Sequence, residues 1–76
     1  MISRRVGASP AQRCNTDIGC PDVFELHDGR FAVIGTDMTA DLEDALPADA
    51  GRAPHERIVV ISRETLILAK SDIPDF

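Results

Sequence analysis

Four side chains in this 76-residue sequence have the chemistry to bind a soft metal: Cys14, Cys20, His27 and His55. Thiolate and imidazole are the ligands zinc prefers, usually four in a closed structural site. The spacing argues against that use. Cys14 and Cys20 stand as C-x5-C, wider than the C-x2–4-C that closes tightly on a metal. Cys14 falls in an irregular segment and His27 beside an expected turn. Solvent-facing histidines and ordinary thiols are therefore expected, with no metal and no cofactor. Glu25, Asp37 and Asp41 have the chemistry of acid–base carboxylates, but catalysis needs a concave pocket and a partner of opposed pKa. So small a chain rarely encloses one, and the expectation is a non-enzyme with a solvated acidic rim. Gly29, Gly35 and Gly51 are widely spaced with no Gly-Lys-Ser/Thr following, so no phosphate-cradling loop is expected. What remains is a candidate interaction surface: Glu25, His27 and Arg30 at one end of a hairpin, and Phe76 at the C-terminus. Phe76, with Ile73, could anchor in a partner's pocket or fold back on its own core.

The element that must position those residues runs from Asp22 to Asp37, DVFELHDGRFAVIGTD. Asp28-Gly29 sits between two runs rich in Val, Ile and Phe, and an Asp-Gly pair suits a two-residue type I′ turn. That turn sets the register. His27 is expected opposite Arg30, Leu26 opposite Phe31, Glu25 opposite Ala32, Phe24 opposite Val33 and Val23 opposite Ile34. Because side chains alternate across a strand, one face would carry Phe24, Leu26, Phe31 and Val33. The other would grade from Val23 and Ile34 to the charged end with Glu25, His27 and Arg30.

Around the hairpin the chain reads as follows. Residues 1–20 have no helix or strand period and are expected to form a flexible N-terminal arm, with residues 21–76 as one small domain. Thr39 is placed to cap a short helix, Ala40 to Leu46, whose Leu42, Ala45 and Leu46 make one apolar stripe. Pro47 stops it, and residues 47–56 read as a loop. Ile58-Val59-Val60-Ile61 suits a strand covered on both faces, within Arg57 to Ser62. Ser62 can cap a helix from Arg63 to Lys70, with Glu64 in its first turn and Lys70 in its last. The alternative is a second hairpin turned at Arg63-Glu64; that turn lacks the Gly or Asn of a two-residue loop, which favours the helix.

Charge divides the chain. Residues 1–20 carry Arg4, Arg5 and Arg13 against Asp17, and residues 21–76 carry five basic and twelve acidic side chains, a net of −7. An acidic body is not a general phosphate binder, so nucleic acid is not the expected partner. No apolar run is long enough to span a bilayer, and no apolar segment follows the N-terminal arginines as in a signal peptide. A cytoplasmic protein with reduced cysteines is expected.

From Cys20 onward, the segments CPDVFEL, DGRFAVIGTD, ALPADAG, ERIVVISRETLILAK and the final SDI resemble a group of short actinobacterial proteins of Streptomyces type. The resemblance implies an actinomycete source, often near regulatory genes, and supplies no catalytic residues. Where that group often carries Pro, this chain has Ser62. Separately, GRFAVIGTDMTADLEDALPADAG is similar in order to the swapped-hairpin DNA-binding domains of transition-state regulators and addiction-module antitoxins (AbrB and MazE types). That likeness implies an interlaced dimer on DNA. The chain departs from it at Gly35-Thr36-Asp37, where the family carries Pro and basic residues.

The fold expected is α+β, in the order ββαβα: a hairpin joined by a third strand, with two short helices on its apolar face. The function expected is that of a small non-catalytic, protein-binding or regulatory accessory module, monomer or homodimer. The alternative is a dimeric AbrB/MazE-like regulator or antitoxin.

Overall fold

A computed structural model describes residues 1–9 and 20–74. Cys14, Phe76 and half of the expected arm lie outside these residues. The fold is α+β: a three-stranded antiparallel sheet, a separate two-stranded sheet, and two short helices.

The hairpin forms where its composition places it, but with a different turn. Strands β2 (Asp22–Leu26) and β3 (Phe31–Ile34) pair antiparallel with Phe24 opposite Ala32 and Glu25 opposite Phe31. The register is one residue away from that of a two-residue loop. The connection is three residues, His27-Asp28-Gly29, closed by Leu26 N–H donating to the Arg30 carbonyl at 2.8 Å. Gly29 N–H donates to the Leu26 carbonyl at 3.1 Å, and Gly29 alone carries positive φ, +89°. This is the three-residue solution in which a left-handed glycine follows the turn. The cause lies in Asp28. A type I′ turn needs positive φ at both central residues, whereas Asp28 instead uses its carboxylate to accept the Arg30 N–H at 3.0 Å. A one-residue slip reassigns every facing pair. Phe24 now shares a face with Ala32, and Phe31 shares the opposite face with Glu25, Val23 and Val33.

The arm expected over residues 1–20 is corrected at its start. Ile2–Arg5 form strand β1, antiparallel to β2, which makes β2 the central strand. The pairing steps irregularly between Ile2 and Arg4. Beyond β1, Val6 N–H donates to the Val23 carbonyl at 2.9 Å, and Val6 is almost fully buried. An isolated Val among Arg, Ser and Gly has no period to announce a strand; the partner in β2 supplies it.

The expected third strand is also corrected. Strand β5 is only Val59–Val60, and it pairs with β4 (Thr36–Asp37) in a sheet of its own rather than joining the hairpin. Both valines of β5 are exposed, not covered on two faces. Helix α1 spans Thr39–Leu42 and tightens into a 3₁₀ turn at Glu43–Ala45. Thr39 is not its cap. Its buried hydroxyl accepts the Ile58 N–H at 2.8 Å and donates to Asp37 Oδ1 at 2.7 Å, tying the helix start to both strands of the small sheet. The loop that follows is held by Arg52, which reaches Glu43 Oε1 at 2.8 Å and donates to the Glu56 carbonyl at 3.1 Å.

Helix α2 (Arg63–Lys70) forms as the capping pattern indicates: the Ser62 hydroxyl accepts the Thr65 N–H at 3.1 Å. Of its two readings, the chain takes the helix. It lies over β2 and the end of β1, and the buried apolar core is Val6, Val23 and Ala69. The approach is close because Gly7 stands beneath the helix with φ +88°; a Cβ there would sit 3.0 Å from the Ala69 nitrogen. Gly7 N–H also donates to Asp72 Oδ2 at 2.8 Å.

Cys20 is buried and disulfide-bonded, where the sequence reading expected a reduced thiol.

Candidate interaction site

The turn places His27 and Asp28 at the end of the larger sheet. His27 N–H donates to the Met1 carbonyl at 2.9 Å, so the first residue of the chain is stitched to the turn. The step between Ile2 and Arg4 in the β1–β2 ladder lies beside it. The result is a recess of about 450 Å³ walled by Ser3 of β1, Glu25 of β2, His27 and Asp28 of the turn, Phe31 of β3, and Pro74 beyond α2.

Of the four residues proposed from the sequence, Glu25 and His27 line this recess together. Arg30 does not line it. Its guanidinium turns to Asp28 instead, with Nη2 2.7 Å and Nε 2.9 Å from Oδ2. That hydrogen bond, with the Arg30 backbone N–H, holds the Asp28 carboxyl below its ordinary pKa. Phe76 lies outside the described residues. Ser3, Asp28, Phe31 and Pro74 complete the lining without a sequence signal that marks them for it. Ser3 and Pro74 come from opposite ends of the chain, and no local pattern links them to a hairpin turn.

Glu25 is half-buried and ion-paired with Arg4, Nε to Oε1 at 3.0 Å. Arg4 in turn donates to the Asp72 carbonyl, which joins the recess floor to the end of α2. On the opposite face of the sheet, Arg5 Nε lies 3.0 and 3.1 Å from the two oxygens of Asp22, and its guanidinium sits 5.1 Å from the centre of the Phe24 ring. The recess thus offers an imidazole, a hydroxyl, two carboxylates already matched by arginines, and one aromatic surface. This is the inventory of a polar recognition pocket with an apolar wall.

The other sequence-proposed groups are scattered. Asp37 belongs to the small sheet, where Oδ1 accepts from the Thr39 N–H and hydroxyl and Oδ2 faces Arg57 Nε at 3.1 Å. Asp41 and His55 are exposed on α1 and on the loop. Among the described residues no three His, Cys, Asp or Glu side chains gather as metal ligands, and no helix is long and apolar enough to cross a membrane.

No protein-family model, curated protein or solved structure matches this chain.

Proposed function

We propose that this chain is a small non-catalytic interaction module, a regulatory accessory protein that recognises a protein partner through the recess at the hairpin end. The observation that carries this reading is the convergence of Glu25, His27 and Phe31 with Ser3 and Pro74, from separate parts of the chain, around one open recess. A binding role is also supported by how the candidate carboxylates are used. Glu25 is committed to Arg4, and Asp37 to Thr39 and Arg57, as structural ion pairs and hydrogen bonds. The disulfide at Cys20 favours an oxidising compartment over the cytoplasm expected from the sequence.

The test compares the immobilised wild-type chain with His27→Glu, a change at an exposed side chain, with the far-ultraviolet dichroism of the two matched. A cellular protein retained by the wild type and lost by the variant is the expected result. Equal retention by both would remove the recess from the reading. A DNA shift that weakens steeply with salt, with no protein retained, would replace it by the DNA-binding regulator.

A further inference from the structure

The larger sheet has two edges, and they are built differently. Strand β1, at one edge, reads ISRR, carries Arg4 and Arg5, and steps irregularly against β2 between Ile2 and Arg4. Charge and an irregular step are what keep an edge from pairing with another chain. Strand β3, at the other edge, reads FAVI and has neither. From Phe31 to Thr36 the chain carries no charge. The charges flanking that stretch are already matched, Arg30 by Asp28 and Asp37 by Arg57.

The register decides which groups the β3 edge offers. Leu26 N–H donates to the Arg30 carbonyl, and Phe24 and Asp22 stand opposite Ala32 and Ile34. Bonded pairs recur at every second residue of an antiparallel ladder, so Arg30, Ala32 and Ile34 turn their main chain to β2. Phe31 and Val33 turn theirs outward. Among the described residues no hydrogen bond reaches those outward N–H and C=O groups. Such a row accepts one kind of occupant, another extended strand.

We infer that two copies of this chain pair edge to edge through β3, antiparallel about a two-fold axis at Ala32. A second copy is the occupant because the strand is complementary to itself in that register. Phe31 of one copy stands opposite Val33 of the other, and every outward N–H meets an outward C=O. Phe31 and Val33, 38% and 43% exposed in the single chain, then form an aromatic and β-branched cross-strand pair, a stabilising combination. Ala32 meets its own copy at the unbonded position, where Cα atoms approach to about 4.5 Å and a small side chain fits. With the flanking charges matched within each chain, no like charges face each other across the axis. The arginine-bearing β1 edges stay outermost, so association closes at two copies. The Phe31 side chain walls the recess, but the pairing uses its main chain, and Val33 does not line the recess, so the two surfaces stand or fall separately.

Light scattering and amide hydrogen exchange on the full chain, from tens to hundreds of micromolar, test this. The expected mass rises to twice 8.2 kDa, and exchange at the Phe31 and Val33 amides slows in step with the dimer fraction. Val33→Pro removes an outward N–H and leaves the bonds to β2, a place where an edge strand tolerates proline. It should hold the mass at a single chain with the far-ultraviolet dichroism kept. If Val33→Pro does not fold, exchange at the two wild-type amides decides. A single-chain mass across the whole range would overturn the inference. So would a dimer in which the Phe31 and Val33 amides exchange at a rate independent of concentration, or one that survives in folded Val33→Pro.

Discussion

Asp37 accepts the Thr39 hydroxyl and N–H on one oxygen and faces Arg57 with the other, and these partners pull its pKa from 3.8 to about 2. The Thr39 hydrogen bonds are the largest cause. Because the folded value lies below the unfolded one, the contribution to stability is complete above pH 3.8 and is lost as the pH falls toward 2. A carbon-13 titration of the Asp37 carboxyl should show a midpoint near 2; a midpoint near 3.8 would mean that the link from β4 through Thr39 to Ile58 is not formed. Gly7 is the second residue whose identity decides a contact. At φ +88°, with the Ala69 backbone 3.0 Å from where a Cβ would stand, Gly7→Ala suffers both backbone strain and overlap. Urea denaturation should show a loss of about 2 kcal/mol or more, the left-handed penalty alone being about 1–2 kcal/mol. An unchanged midpoint would mean that α2 does not rest on Gly7.

Among the elements, α2 depends on a local signal. Ser62 accepts the Thr65 N–H, Glu64 stands in the first turn and Lys70 in the last, so cap and dipole agree. Ser62→Ala should cost about 1 kcal/mol in chemical denaturation, and no loss would argue that the helix starts elsewhere. The hairpin depends on a local signal too, but that signal does not choose between two turns. Asp-Gly marks both the two-residue and the three-residue loop, and the choice rests on whether Asp28 takes positive φ or spends its carboxylate on Arg30. The consequence is measurable at Phe31, which is an exposed wall of the recess rather than a core partner of Phe24. Phe31→Ala should lower stability by about 1 kcal/mol, not the 3–5 kcal/mol of a buried Phe. A loss in the higher range would restore the two-residue register.

At the scale of the molecule, the N-terminal strand is part of the fold. Val6 belongs, with Val23 and Ala69, to the buried apolar cluster of the described residues, β1 makes β2 a central strand, and Gly7 and Arg4 bond to Asp72 after α2. Deleting residues 1–7 should therefore abolish cooperative thermal unfolding, whereas removing a flexible arm would leave the transition in place. So small a core leaves little margin, because the stability of a domain is a small difference between large terms.

The sequence by itself determined what depends on neighbours along the chain. The α+β class, a hairpin over Asp22 to Asp37, the break at Gly35, a short helix near residue 40 and the capped helix Arg63–Lys70 all follow from alternation, turn residues and caps within a few positions of one another. Glu25 and His27 as one end of the hairpin were legible for the same reason. Only the tertiary structure decided the remainder. The pairing of Ile2–Arg5 with β2 joins residues about twenty positions apart, and ISRR, one apolar residue followed by three polar ones and exposed throughout, has no alternation to read. Val59–Val60 read as buried because β-branched runs usually are, yet their partner is the two-residue strand Thr36–Asp37 at the edge of the fold. The recess needed both chain ends brought to one turn, and the outward face of α2 needed the depth that Gly7 allows. Local backbone chemistry is written residue by residue, but which strand lies beside which, and which side of a helix is left bare, is settled by packing between segments that the chain keeps far apart.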